Sequence, residues 1–357
     1  MVVYCPKRRN TMQDVFSIMQ DIAPDLNEML QVRCSILYQL QSTHQAIGRK
    51  TLAQKVNLSE RSLRTIIQLM KEQHLVEVGH SGIRLTSRGQ EVAAVIADKM
   101  VSTNYLHELS AKLQSRLGLD GCMVVSGNVE QDTSVYAELS RAVEQVLNRY
   151  LKYGQNTIAV TGGETLAHVG EGLTQILSKD RELVFVPARG GVGGRFNIQS
   201  NMVGGLMAQK TGAQYVPLFI PDMMEELASK ALLNDPAINQ AVMLGKQADC
   251  LLVSVGSAKT MAERRELTSE QQQLLREQQA IGEAFGVFFN EQGNEVLRLP
   301  RIGIQIEELS QIPLVVTVVA GASKAEAVKG YCQLVQHHGW LICDEGVANM
   351  ILNEGTH

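Results

Sequence analysis

From Cys122 to the C-terminus one pattern repeats: a short, continuously apolar run, a glycine-rich or polar turn, then a stretch with helical spacing. The apolar runs fall at 122–125, 157–160, 183–186, 215–219, 250–255, 314–319 and 340–343. Helical stretches separate most of them, at 134–153, 165–177, 199–210 and 324–336. A strand apolar at every position has no face to offer water, so it belongs in a parallel sheet covered on both sides. Strands alternating with helices give that layered arrangement. The predicted class is therefore α/β: a doubly wound, mostly parallel sheet. A hairpin over 285–290, with Gln292-Gly293-Asn294 as its turn, would decorate one edge.

In open sheets of this kind the ligand crevice lies beyond the carboxyl ends of the strands. Four strand ends here carry glycines, hydroxyls or cations. The first is Thr161-Gly162-Gly163-Glu164-Thr165, a strand handing over to a helix marked by Leu166, Val169 and Leu173. The N–H groups of a first helical turn have no partner within the helix, and glycine lets an anion approach the main chain closely. Pro187-Ala188-Arg189-Gly190-Gly191, Gly256-Ser257-Ala258-Lys259-Thr260 and Ala320-Gly321-Ala322-Ser323-Lys324 follow. Thr161 and Thr165 supply hydroxyls; Arg189, Lys259 and Lys324 supply charge. Arginine suits bidentate phosphate capture and lysine a point contact. Ser323-Lys324 opens a helix after a glycine-bearing loop and offers a second anion position, which suits a ligand with two phosphates. The expected ligand is a phosphorylated metabolite.

The N-terminal third reads differently. A helix is expected over 11–22, and after Ala23-Pro24-Asp25 a second, amphipathic one through Leu26, Met29, Leu30, Ile36, Leu37 and Leu40. A short helix over 51–56 and another over 60–71, capped by Ser59, have the layout of a helix-turn-helix. Apolar runs at 75–78 and 83–85 flank Gly79-His80-Ser81-Gly82 as a hairpin, which makes a wing. With Leu63, Ile66, Ile67 and Met70 turned inward, Ser59, Arg61, Ser62, Arg64 and Thr65 are left for phosphates and base edges of duplex DNA. Arg49 and Lys50 can hold the phosphate backbone. Beyond the wing, Val92, Val95, Ile96, Met100, Leu106, Leu109, Leu113 and Leu117 mark a long helical run, with a possible break near Ser102-Thr103-Asn104. Three segments result: a winged helix-turn-helix domain over 1–97, a linker helix over 98–119 and an effector domain over 120–357.

Charge supports that division. Residues 1–100 carry 13 Lys+Arg against 9 Asp+Glu, and the remainder 20 against 28, within a net charge of −4. A basic part that meets a polyanion and an acidic body that does not is the simplest reading. Cys5, Cys34, Cys122, Cys250, Cys332 and Cys343 show neither ligand spacing nor a disulfide framework, so no metal or cofactor is expected. With no apolar stretch near the roughly 20 residues that span a bilayer, a soluble, cytoplasmic protein without membrane contact is expected.

Taken together, Ile47-Gly48-Arg49, Leu58-Ser59-Glu60-Arg61, Val124-Val125-Ser126-Gly127, the 160–165 turn, Phe185 to Gly191, Ala258 to Arg265, Glu283-Ala284-Phe285-Gly286, Ser323 to Ala327 and Asp344-Glu345-Gly346 resemble the SorC/DeoR-type bacterial transcription regulators. The resemblance implies an effector domain folded like the sugar-phosphate isomerases and deaminases but without their activity. It implies a repressor of a glycolytic operon, induced by a sugar phosphate such as fructose-1,6-bisphosphate, and working as a homotetramer; symmetric operators by themselves favour a homodimer. Ligand contacts would fall on Gly163, Thr165, Arg189, Gly190, Gln199, Arg264, Glu283 and Lys324. One position departs: relatives usually carry threonine where this chain has Glu164. A carboxylate there opposes phosphate unless it points away or pairs with a cation.

The competing reading is an isomerase or deaminase that carries a DNA-binding arm. It needs a general acid and base within hydrogen-bond reach of substrate, for which Glu283 with Lys259, or His168, are the candidates.

Overall fold

The computed structural model describes residues 25–43, 46–191, 196–221, 231–336 and 338–353, so the helix expected over 11–22 lies outside the described residues. Between Asn104 and Tyr105 the chain divides into two compact units.

The first unit holds α1 (Asp25–Thr43), α2 (Arg49–Lys55), α3 (Glu60–Glu72), β1 (Val76–Gly79) and β2 (Gly82–Leu85), then the start of α4 (Ser87–Leu117). Leu63, Ile67 and Met70 recur on one face of α3 and close a core with Ile36, Leu37 and Leu40 of α1, Leu52 of α2, and Val76 and Ile83 of the hairpin. Strands β1 and β2 pair antiparallel from Val76↔Leu85 to Gly79↔Gly82. Ile47 exchanges two main-chain hydrogen bonds of 2.9 Å with Ile83, so the segment before α2 joins the wing. Helix α4 is continuous through the 102–104 stretch where a break was expected. Its apolar positions differ in burial: Val95 stands 66% exposed, whereas Leu109, Leu113 and Leu117 are buried in the second unit's core.

That second unit contains β3 (Gly121–Val125), α5 (Val135–Tyr150), β4 (Gly154–Val160), α6 (Glu164–Gly172), β5 (Arg181–Pro187), α7 (Ser200–Thr211), β6 (Gln214–Tyr215), α8 (Pro236–Lys246), β7 (Cys250–Val253), β8 (Gly256–Ser257), α9 (Ala258–Arg264), α10 (Ser269–Glu277), β9 (Gly282–Ala284), β10 (Val287–Phe289), β11 (Glu295–Arg298), β12 (Leu314–Val319), α11 (Ala325–Leu334), β13 (Trp340–Asp344) and α12 (Glu345–Asn353). Seven strands form one sheet in the order β3-β13-β12-β7-β4-β5-β6. Every neighbouring pair in it is parallel. Two apolar clusters cover its faces, and β12 is buried at all six positions. Each fully buried Val, Ile or Leu contributes about 1.5–3 kcal/mol, which is why these strands need no polar face. The chain runs outward from β4 to β6 and returns to β7 on the other side of β4, so the strand order reverses between β4 and β7.

Two expectations are corrected. The helix expected over 165–177 ends at Gly172, which lies against Ser140; Leu173 is extended, and Thr174 starts a separate 3-10 turn, Gln175–Ser178. The strand expected over 215–219 is only Gln214–Tyr215. There the Asn201 side chain takes over the main chain: its Oδ1 accepts from the Leu218 N–H at 2.9 Å and its Nδ2 donates to the Leu218 carbonyl at 2.8 Å. The expected hairpin is present, β10 pairing antiparallel with β11, and it extends into a four-stranded antiparallel sheet, β11-β10-β9-β8. Among the described residues no helix is long and apolar enough to cross a membrane.

Candidate functional site

At the reversal between β4 and β7 the two strands open a crevice, as expected for this topology. It holds a cavity of about 250 Å³ walled by Gly163, Arg189, Gln199, Arg264, Glu283 and Lys324, with Thr161, Gly162 and Glu164 beside them. Residues far apart in sequence converge here: Gly163, Arg189 and Lys324 follow strands of the parallel sheet, Glu283 lies within β9, Arg264 ends α9 and Gln199 precedes α7. Position 162 has to be glycine, because a Cβ there would lie 2.5 Å from the Ile198 carbonyl oxygen. Gly163 sits at φ 135°, a conformation side chains disfavour, and its N–H is spent on the Ile198 carbonyl at 2.8 Å. The amides left for a ligand are those of the α6 first turn beyond it.

Thr161 works inward: its Oγ1 accepts from the Ser254 N–H at 2.9 Å and ties the ends of β4 and β7 together. Arg189 is 7% exposed. Its segment is stitched in place by Ala188 N–H to Val160 (2.8 Å) and Gly190 N–H to Ile302 (3.2 Å). Lys324 donates to Thr165 Oγ1 at 3.1 Å. Burial pushes the pKa of that ammonium down and Arg264 adds to the lowering, while the nearby Glu164, Asp344 and Glu130 carboxylates oppose it. Asp344, fully buried, accepts from the N–H groups of Val129 (2.9 Å), Gly321 (3.0 Å) and Val347 (3.1 Å), which fixes the loops after β3 and β12 relative to each other.

Glu283 is neutralised from behind the wall. Its Oε1 accepts from Arg265 Nη2 at 2.9 Å and from the Gly286 N–H at 2.6 Å, with Arg301 Nη2 at 3.9 Å. The Glu164 carboxylate does pair with a cation, Arg264, at 3.6 Å.

Of the residues expected to contact a ligand, Thr165 and Gly190 are not in the cavity wall. Thr165 stands behind it, holding Lys324, and Gly190 spends its amide on Ile302. Lys259 is corrected: it is exposed and lines a separate groove between α9 and α10. The drafted acid and base, Glu283 with Lys259, are therefore not brought together. His168 lies half-buried, stacked on Tyr136 with ring centroids 4.3 Å apart. Ser254, Ser257 and Thr260 also line the cavity. The strand-end rule points to Ser254, which directly follows β7, but the buried Arg265 and Arg301 have no signature in the sequence.

In the first unit, Ser59 Oγ accepts from the Ser62 N–H at 3.1 Å and caps α3, and the two hydroxyls lie 2.8 Å apart. Arg61, Arg64 and Thr65 are exposed on α3, and Arg49 and Lys50 on the first turn of α2. Ile66, expected inside, is only half-buried. A helix of this kind, with its N-terminal half polar and cationic and a wing beside it, is built to enter a major groove.

Residues 29–100 match the model of the CggR N-terminal DNA binding domain, and residues 102–353 that of the family described as "Putative sugar-binding domain". A DNA-binding unit joined to a sugar-binding unit is a transcriptional regulator. The chain is 35% identical to the Central glycolytic genes regulator of Bacillus subtilis over 96% of its own length and 100% of that protein. The crystal structure of a SorC-family regulator from Enterococcus faecalis, 36% identical, matches 69% of this chain and all of that one with a TM-score of 0.66. The full-length sorbitol operon regulator of Klebsiella pneumoniae shares the fold at 16% identity, covering 92% of this chain and 99% of that one, TM-score 0.63. The chain belongs to the SorC family of sugar-binding transcriptional regulators, in the group of the central glycolytic genes regulators.

Proposed function

We propose that this protein represses a glycolytic operon and that a phosphorylated sugar in the β4/β7 cavity alters its grip on operator DNA, fructose-1,6-bisphosphate being the first candidate. The observation that carries the reading is the convergence of Arg189, Arg264 and Lys324 on one small cavity beside the Gly162-Gly163 turn. Such a set is suited to a compact anion, and the dimensions to a single small metabolite. Operator contacts fall to Ser59, Arg61, Ser62, Arg64 and Thr65 on α3, with Arg49 and Lys50 on the backbone. The working division is a DNA-binding domain over 1–97, a linker over 98–119 and an effector domain over 120–357. The assembly is a homodimer or homotetramer, since paired half-sites in DNA ask for a symmetric protein. Free thiols such as Cys250 and Cys343 suit the reducing cytoplasm.

The domain acts as a switch and not a catalyst. Of the carboxylates at the cavity, Glu283 is committed to Arg265, Arg301 and the Gly286 amide, and Glu164 pairs with Arg264. A mobility shift of the DNA upstream of the operon, titrated with mono- and bisphosphorylated sugars, tests the proposal. The complex should respond to a phosphorylated sugar and not to the free sugar; indifference to every phosphorylated sugar would refute it.

A further inference from the structure

Two carboxylates of this chain already sit on the cavity's anion-recognising groups. At one end Glu164, the first residue of α6, pairs with Arg264 at 3.6 Å and places its charge at the positive end of that helix. At the other end Glu130, from the loop after β3, accepts from the Ser323 N–H at 3.2 Å and from the Ser323 hydroxyl at 2.5 Å. Ser323 lines the cavity and is the middle residue of the turn Ala322–Lys324 that leads into α11, the second anion position. Lys324 lies within electrostatic reach of both carboxylates.

Resting on the reading of this cavity as a sugar-phosphate site, we infer that Glu164 and Glu130 are tethered competitors for the effector's phosphates. A phosphate arriving at Arg264 displaces the Glu164 carboxylate, and one arriving at the Ser323 amide displaces that of Glu130. Both acids can turn to water at little cost, because the Glu164 side chain is already 45% exposed and Glu130 is exposed. The competition raises the concentration at which the effector binds. It weighs most on a ligand with two phosphates, which has two carboxylates to displace. The sign of a charge-removing substitution separates this role from the alternative, in which Glu164 accepts a hydrogen bond from a sugar hydroxyl: a competitor's loss tightens binding, a contact's loss weakens it.

The test is calorimetric titration of the full-length protein, as wild type, Glu164→Gln, Glu130→Gln and the double variant, with inorganic phosphate, a hexose, a hexose monophosphate and a hexose bisphosphate. Glutamine keeps an acceptor for Ser323 and nearly the same volume, and a thermal melt of each variant checks folding. Each single variant should bind the bisphosphate about two- to fivefold more tightly, the range set by partly exposed ion pairs. The double variant should gain about tenfold if the two ends act independently. Affinity for the unphosphorylated hexose should stay unchanged. Unchanged or weaker bisphosphate binding by Glu164→Gln overturns the inference, as does equal tightening of the plain hexose. Should no phosphorylated sugar bind wild type or variants, the reading of the cavity itself fails and takes the inference with it.

Discussion

Both units gather cations, but they hold them in opposite ways. On α3 the side chains of Arg61 and Arg64 stand in water, with hydroxyls between them and a core of Leu63, Ile67 and Met70 beneath. At the β4/β7 cavity Arg189 is buried in the wall, and Arg265 and Arg301 are buried behind it against Glu283. A duplex brings a row of phosphates to an open surface, so each contact is modest, replaceable and screened by salt. A metabolite brings one or two, and they must be met where water is excluded and charge counts for more. Substitutions in the two regions should therefore differ in size and in what they damage.

The largest effect is expected from Arg265→Met. It strands Glu283 as a buried charge with only Arg301 and one amide, and should cost about 3–5 kcal/mol in denaturant unfolding. A loss below 1 kcal/mol would mean that the wall is far wetter than its geometry. Next, Arg189→Ala or Lys324→Ala should weaken effector binding by about 1.5–3 kcal/mol, the range for hydrogen bonds to charged groups, and abolish the operator's response while leaving DNA affinity intact. Retention of the response in both would remove these residues from the site.

Arg61→Ala or Arg64→Ala should do the reverse: operator binding weakens by about 1–3 kcal/mol where a base edge is read, with effector titrations unchanged. If the lost contact is to phosphate, the salt dependence should flatten by about one counterion. Ser59→Ala, which removes the α3 cap, should lower stability of the small unit by about 1 kcal/mol, measured by hydrogen exchange across α3.

The smallest effect separates the two kinds of cation by pH. Because burial depresses the Lys324 pKa, the folded protein binds fewer protons than the unfolded chain between that depressed value and the ordinary lysine value of 10.5. This lysine's contribution to stability therefore rises with pH in that window. Effector affinity moves the other way, falling as the ammonium is lost, at a pH below that at which exposed lysines titrate. Calorimetry in buffers of different ionisation enthalpy should find proton uptake on binding in that window; its absence would mean that Lys324 stays fully charged there.

Much of the fold was legible because a parallel sheet writes itself as unbroken apolar runs, and because Ser59 announces α3. The edges were not. Strand β6 stops at Tyr215 because one side chain, Asn201, captures the main chain beyond it, and nothing local marks that event. The cavity's location followed from the strand-end rule, yet the choice between Lys259 and Arg264 depended on helix phase. Both lie on α9, whose start is set by Ser257 accepting from the Thr260 N–H, and only Arg264 of the two lines the cavity. The Glu130–Ser323 contact joins positions 193 apart in sequence and could be found only in three dimensions. Glu164 was visible as a conflict, and the structure shows with which cation it is resolved.

The two glycines at the end of β4 have a consequence for how such regulators can diversify. Since the backbone at 162 abuts another strand of main chain and that at 163 is wound the wrong way for a side chain, neither position can be recruited to read a new metabolite. Novelty in what the protein senses has to come from side chains that border this main-chain floor, and a change there can redraw the chemical menu without disturbing the sheet that carries it.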